Sequence, residues 1–302
     1  MDTYTETDLW RAAEAGIRAP SMHNSQPWLF RLRDGAIDIL ADPRRRLSVA
    51  DERGWATRIA CGAATFNARL ALAVHASRPV VELLPDPGDP DLIARLRPGP
   101  EPSPSPDEAA LYGTIARRHS NRRPFRPDPV PPEIRSRLLE AARAESVWLD
   151  LLVGTVPLAG FAQIAASADR VLRRDPAYRS EASAAFRGGW LRPVPGRAHD
   201  QEPLIAVLGT YADRPADQIG AGQALQRILL TLTDAGLAGS MMSQPIEVPA
   251  ARDQLRRSLG RYGAPQMTFR IGYGEPGGLT PRRPLHDVLL SEVSSPVTSG
   301  LG

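Results

Sequence analysis

The spacing of apolar residues changes period repeatedly along the chain, and each change marks an element. Leu9, Trp10, Ala13 and Ile17 recur at helical spacing, which predicts an amphipathic helix from Thr7 to Arg18, stopped by Pro20. From Trp28 to Leu40 the pattern alternates in strand fashion and breaks at Asp34-Gly35, the signal of a hairpin. Arg58 to Ala76 is rich in Ala and Leu and reads as a long core helix; Val80 to Leu84 reads as a short strand. Pro98 to Asp107, P-G-P-E-P-S-P-S-P-D, reads as a proline-rich linker.

A second series follows. Helices are expected over Ala109 to Arg118, over Pro131 to Ala144 behind paired prolines, and over Phe161 to Arg174. Strands are expected over Val147 to Val153, Leu204 to Thr210 and Gln266 to Tyr273, with a core helix from Ala221 to Ala235 closed by Gly236. Asp175 to Glu202 has no clear period. The two series resemble each other weakly. C-G-A-A-T-F-N-A-R-L-A-L from Cys61 aligns with A-G-Q-A-L-Q-R-I-L-L-T-L from Ala221, sharing Gly62/Gly222, Ala64/Ala224, Leu70/Leu230 and Leu72/Leu232. The second copy carries an extra stretch, roughly 159–201, which suits a lid or a lobe near a site.

Composition narrows the chemistry. All 37 Lys+Arg residues are arginine, so lysine Schiff bases and a Walker A lysine are excluded. A net charge of +3 gives no field for nucleic acid. The single Cys61 excludes an internal disulfide and a multi-cysteine metal site, and the five histidines form no metal-binding spacing, so no metal is expected. No apolar run has the length of a membrane span and the polar N-terminus is not a signal peptide, so a cytoplasmic protein is expected. Gly272 to Gly277 matches G-x-G-x-x-G, but Pro276 and Pro281 forbid the helix that should receive a pyrophosphate, so a dinucleotide fingerprint is rejected.

Two short motifs carry more. R-R-H-S-N-R-R-P-F, Arg117 to Phe125, ends a helix in arginines followed by a hydroxyl, the groups a phosphate monoester needs; taken alone it equally describes a solvated basic helix end. R-A-P-S-M-H-N-S-Q-P-W, Arg18 to Trp28, frames small polar residues between two prolines, which fixes their amides and Asn24 toward a ligand edge; any three of them also describe a plain helix-stop turn.

Together these strings resemble the flavin site of the nitroreductase superfamily, in reversed order. Within it the chain is most similar to the Acg group of actinobacterial flavoproteins, single chains that mimic the usual dimer; L-L-P-D-P, A-G-Q-A-L-Q-R and P-R-R-P-L fit as well. The resemblance implies an α+β, nitroreductase-like fold built as a tandem pseudo-dimer: a degenerate N-terminal half over 1–100 and a C-terminal half over 108–302 with the insertion. It implies one FMN per chain and NAD(P)H as electron donor. Pro20, Ser21, Met22, His23 and Asn24 would reach the flavin from one half, with Gln26 tying their loop together. Arg118, His119 and Ser120 would serve the phosphate region and Arg122 the N1/C2-carbonyl edge. Met241, Met242 and Ser243 would lie on a loop beside the ring; many enzymes of the group have a glutamate where Ser243 stands. Arg282, or failing it Arg283, would reach the phosphate. The implied activity is reduction of nitroarenes, quinones or other electron-poor small molecules in ping-pong order, with no catalytic acid–base side chain assigned. The alternative is a flavin store of the same fold. A monomer is the simplest expectation, with a homodimer as the alternative, and neither nucleic acid nor membrane is an expected partner.

Overall fold

Local signals set the elements of the chain, whose computed structural model describes residues 3–100, 104–187, 204–274 and 280–290. Thr5 opens the first helix with a capping box, its hydroxyl accepting the Asp8 amide while Asp8 accepts the Thr5 N–H. Helix α1 (Glu6–Gly16) leads into the hairpin β1 (Trp28–Arg33) and β2 (Ala36–Ala41), then α2 (Trp55–His75), β3 (Pro79–Leu83), β4 (Leu92–Pro98) and α3 (Pro106–Thr114). The second series runs α4 (Pro132–Ala144), β5 (Trp148–Leu152), α5 (Thr155–Arg174), α6 (Pro176–Arg187), β6 (Leu204–Thr210), α7 (Pro215–Asp234), β7 (Ala238–Met242), α8 (Gln244–Glu247), α9 (Pro249–Ser258) and β8 (Ala264–Gly272).

Each series makes one antiparallel four-stranded sheet, ordered β1-β2-β4-β3 and β5-β6-β8-β7, the same topology twice. The two-residue turn Asp34-Gly35 that joins the first hairpin is replaced in the second sheet by α5 and α6. The halves interlock through α2 and α7. A Cβ on Gly62 would stand 2.1 Å from the Ile219 carbonyl oxygen, and one on Gly222 would stand 2.1 Å from that of Ile59. Only glycine at both positions lets the two backbones touch, and the reciprocity puts a pseudo-two-fold axis at that crossing. Each helix also feeds the other half's core: Ile59 packs with the second sheet, Ile219 with the first. This is the tandem pseudo-dimer, and it reproduces the Gly62/Gly222 register.

Several elements differ from the sequence reading. β4 was not expected, although Ala94 and Leu96 are buried and Arg95 and Arg97 point outward in strand alternation. α6 occupies part of the stretch without a clear period, and Pro176 starts it as a first-turn proline does. Met241 and Met242 are not on a loop: they form β7, an edge strand paired to β8, because the chain after Gly236 turns straight back along the sheet. Ser243 caps α8, and α8 and α9 were not expected. Residues 188–201 of the proposed insertion, and 275–277 of the rejected dinucleotide motif, lie outside the described residues. Among the described residues no helix is long and apolar enough to cross a membrane.

Candidate functional site

The proline-framed loop leaves α1 and tightens into a 3-10 turn at Met22–Asn24. His23, Asn24 and Gln26 hold φ values of 51°, 56° and 50°, the left-handed region that costs a non-glycine residue of order 1 kcal/mol or more each. Hydrogen bonds over-determine the strain. Ser21 Oγ accepts the Gln26 amide at 2.9 Å, Asn24 Nδ2 donates to the Pro281 carbonyl at 3.0 Å, and Gln26 Oε1 accepts the Arg283 amide at 2.8 Å. Asn24 is therefore turned toward the C-terminal segment. That segment belongs to the second series yet lies on the first sheet: the Phe30 amide donates to Val288 and the Leu290 amide to Phe30, both at 2.8 Å, on the free edge of β1.

The arginine loop is held on the other half. Ser120 forms a parallel bridge with Gly239, the Asn121 amide donates to Gly239 at 3.1 Å and the Arg126 amide to Tyr273 at 2.8 Å. Phe125 lies on Gly272, where a Cβ would stand 2.8 Å from the ring carbons, so Arg123-Pro124 arches over the end of β8. Ser120 Oγ points at Met241 Sδ, 4.0 Å away. His119 Nδ1 lies 3.0 Å from the Arg117 carbonyl.

The two loops and the C-terminal segment meet at Arg18. Its carbonyl accepts from Arg118 Nη2 and from Arg282 Nη2, each at 3.3 Å. Arg282 Nη1 also donates to Asn24 Oδ1 at 3.2 Å. Arg118 is only 5% exposed. Arg118 Nε and Nη1 and Arg282 Nε are buried with no hydrogen-bond partner among the described residues. Burial, then the neighbouring Arg282, pulls the Arg118 guanidinium down to about 9; burial, then Arg18, pulls Arg282 down to about 10. Two adjoining buried cations with unused donors and no acid among their hydrogen-bond partners need an anion. A phosphate dianion with three acceptor oxygens fits that donor set, so the residues present fit the end group of FMN. Arg283 is occupied differently, donating to Gln26 and Asp287 carbonyls and pairing with Asp42 at 3.6 Å; it locks the C-terminal segment down.

Next to this anion site lies a mixed polar wall. The Arg122 side chain is solvent-accessible, but the protein around it lowers its pKa, as in a cleft. Burial lowers the pKa of His23, which senses both Glu181 and Arg122. Glu181 comes from α6 and crosses to the first half, accepting the Val49 amide at 3.1 Å and the Ala50 amide at 2.8 Å. Met22, Met241 and Met242 each pack against the second core. The structure thus gathers Asn24, Arg118 and Arg282 around the Arg18 carbonyl and brings Ser120 to Met241 on β7. The Arg18 carbonyl and Glu181 were missed: a backbone carbonyl leaves no trace in sequence, and Glu181 sits in the unread helix. No cluster able to hold a metal occurs among the described residues.

Two like α+β halves, with a buried arginine pair where their loops meet, define a tandem α+β architecture. The chain belongs to the nitroreductase family, whose profile, described as "Nitroreductase family", matches residues 115–273. It is similar to two Mycobacterium tuberculosis proteins provisionally named NAD(P)H nitroreductases: Acg, 28% identical over 95% of this chain and 97% of that protein, and Rv3131, 30% identical over 90% and 88%. Among solved structures it is similar to the FMN and NADPH-dependent nitroreductase NfnB of Sphigopyxis sp. strain HMH, 20% identical, TM-score 0.46, covering 60% of this chain and 98% of that one.

Proposed function

We propose that the chain is an FMN oxidoreductase that takes hydride from NAD(P)H and reduces small electron-poor acceptors such as nitroarenes and quinones. The observation that carries this reading is the pair Arg118–Arg282, buried with donors to spare and sharing the Arg18 carbonyl. Family membership and the NAD(P)H nitroreductase names of two relatives support it.

On this reading the halves, 1–100 and 108–302, divide the work and hold one FMN per chain. Arg118, Ser120 and Arg282 bind the phosphate, with His119 beside them and Arg283 securing the segment that carries Arg282. Arg122 sets positive charge where two-electron reduction gathers negative charge. The Pro20–Asn24 loop closes one side, and the β7 edge at Met241 and Met242, ending in Ser243, closes the other. When bound, FMN supplies the chemistry itself, accepting hydride and passing on electrons; the chain's part is to position and to polarise.

The test is anaerobic. Mixing yellow protein with NADPH or NADH should bleach the flavin absorbance, and adding a quinone should restore it. One observation favours a second reading, flavin storage: α6 is fastened across to the first half through Glu181 and packs near the Met22–Asn24 turn. Flavin that dithionite reduces but NAD(P)H does not would select storage. Colourless protein without FMN affinity would overturn both.

A further inference from the structure

The carbonyl that Arg118 and Arg282 share is itself placed by a chain of buried amides. Ala15, in the last turn of α1, offers its carbonyl to two donors: the Arg18 amide at 3.1 Å and Asn67 Nδ2 of α2 at 2.9 Å. Asn67 Oδ1 in turn accepts Gln226 Nε2 of α7 at 2.7 Å. Asn67 and Gln226 are both fully buried. The polarity of this chain has one solution. A carbonyl only accepts, so the Asn67 nitrogen must face Ala15; its oxygen then faces Gln226, which must donate. From the Ala15 carbonyl the site is one hydrogen bond away. The Arg18 amide is held there, and the Arg18 carbonyl accepts Arg118 Nη2 and Arg282 Nη2, each at 3.3 Å.

The other half shows what this helix position does. In the Gly62/Gly222 register, Asn67 of α2 stands where Arg227 stands on α7. Arg227 Nε donates at 2.8 Å to Glu145, which caps α4. In each half, then, the same position fastens the end of the helix that precedes the first strand. The second half does so with a charge that a carboxylate matches. The first half does so with a neutral amide, which brings no acid to Arg118 and Arg282. We propose that Asn67 and Gln226 are positioning residues for the anion site: they set the Arg18 carbonyl so that Arg118 and Arg282 converge on one phosphate group. The inference rests on the FMN reading above. Gln226 belongs to the second half and Ala15 to the first, so the relay also ties the seating of one half on the other to the grip on the cofactor.

Flavin titrations separate positioning from packing. FMN and riboflavin share the ring and differ in the phosphate, so the ratio of their dissociation constants reads the anion site alone. Asn67→Leu, which cannot donate, should cut the preference for FMN about tenfold and leave riboflavin binding within about twofold of wild type. Gln226→Met should cut the preference about threefold, because Asn67 is then free to turn its oxygen toward Ala15. Stability should not follow. Gln226 Oε1 is buried with no hydrogen-bond partner among the described residues, so this substitution removes one orphaned oxygen as it creates another on Asn67, and the melting temperature should hold. Leu72→Ala, which loosens the first core without touching the relay, should lower the melting temperature and keep the wild-type ratio. Inorganic phosphate and the apoprotein give a second readout: phosphate should raise the melting temperature of wild type and do so less in Asn67→Leu and Gln226→Met. Should Asn67→Leu fail to fold, Gln226→Met carries both comparisons. A wild-type ratio in the relay variants, or a ratio that falls equally in Leu72→Ala, would overturn the relay alone. Wild-type protein that binds neither FMN nor phosphate would sink the cofactor reading, and the relay with it.

Discussion

Two arginine pairs lie at the junction of the halves, and they are solved in opposite ways. Arg69 of α2 and Arg227 of α7 close on Glu145, at 2.5 and 2.8 Å, and both guanidinium groups lie over the Phe66 ring. They line a cavity of about 490 Å³ together with Arg78, itself paired with Glu108 at 2.7 Å. Among the described residues Arg118 and Arg282 have no such acid; they share one carbonyl and keep buried donors unused. A cation with its own carboxylate is part of the architecture. A cation buried without one marks a place kept for something else. The cavity is thus the poorer guide to function, and the unmatched charge is the better one.

The largest effect should come from removing that unmatched charge. Arg118→Met with Arg282→Met should weaken FMN binding about a thousandfold, read by quenching of flavin fluorescence on titration. Glu145→Gln, aimed at the matched pair, should do the reverse: it should leave the FMN dissociation constant unchanged and lower stability by about 2 kcal/mol in urea unfolding, because two nearly buried arginines lose their acid. A smaller effect distinguishes the pairs without any cofactor. Arg118→Met should raise the melting temperature of the apoprotein by about 2 °C, since burial of its uncompensated charge disfavours the folded state, and inorganic phosphate should stabilise wild type but not this variant.

The smallest prediction extends the matched class to the first sheet. Asp38 is buried beside Arg31 and Arg95, at 2.9 and 2.6 Å. Burial alone would raise its pKa, but the guanidinium hydrogen bonds outweigh burial and lower it. A carboxylate depressed in the folded state stabilises above its unfolded pKa and loses that contribution as pH falls through the folded one. Asp38→Asn should therefore cost about 1 kcal/mol at neutral pH, and the deficit should narrow in acid below about pH 4.

Sequence patterning carried the long helices, the first hairpin and the Gly62/Gly222 register, because those features rest on local period and on glycine. It failed where tertiary context decides. The edge strand β7 reads A-G-S-M-M, with small residues of low strand preference, and forms because β8 lies beside it. In the candidate site, Arg118 and Arg282 stood out as arginines in motifs, but nothing in their spacing told that both would meet one carbonyl.

Because residues 280–290 cross back to the first sheet, Arg282 and the Asn24 partner Pro281 join the site only after nearly the whole described chain has been made. On a ribosome, the Arg18 and Arg118 segments emerge long before the stretch that completes their pocket. On the proposed reading FMN loading follows synthesis of residues 280–290, because Arg282 is one of the two cations that would hold its phosphate.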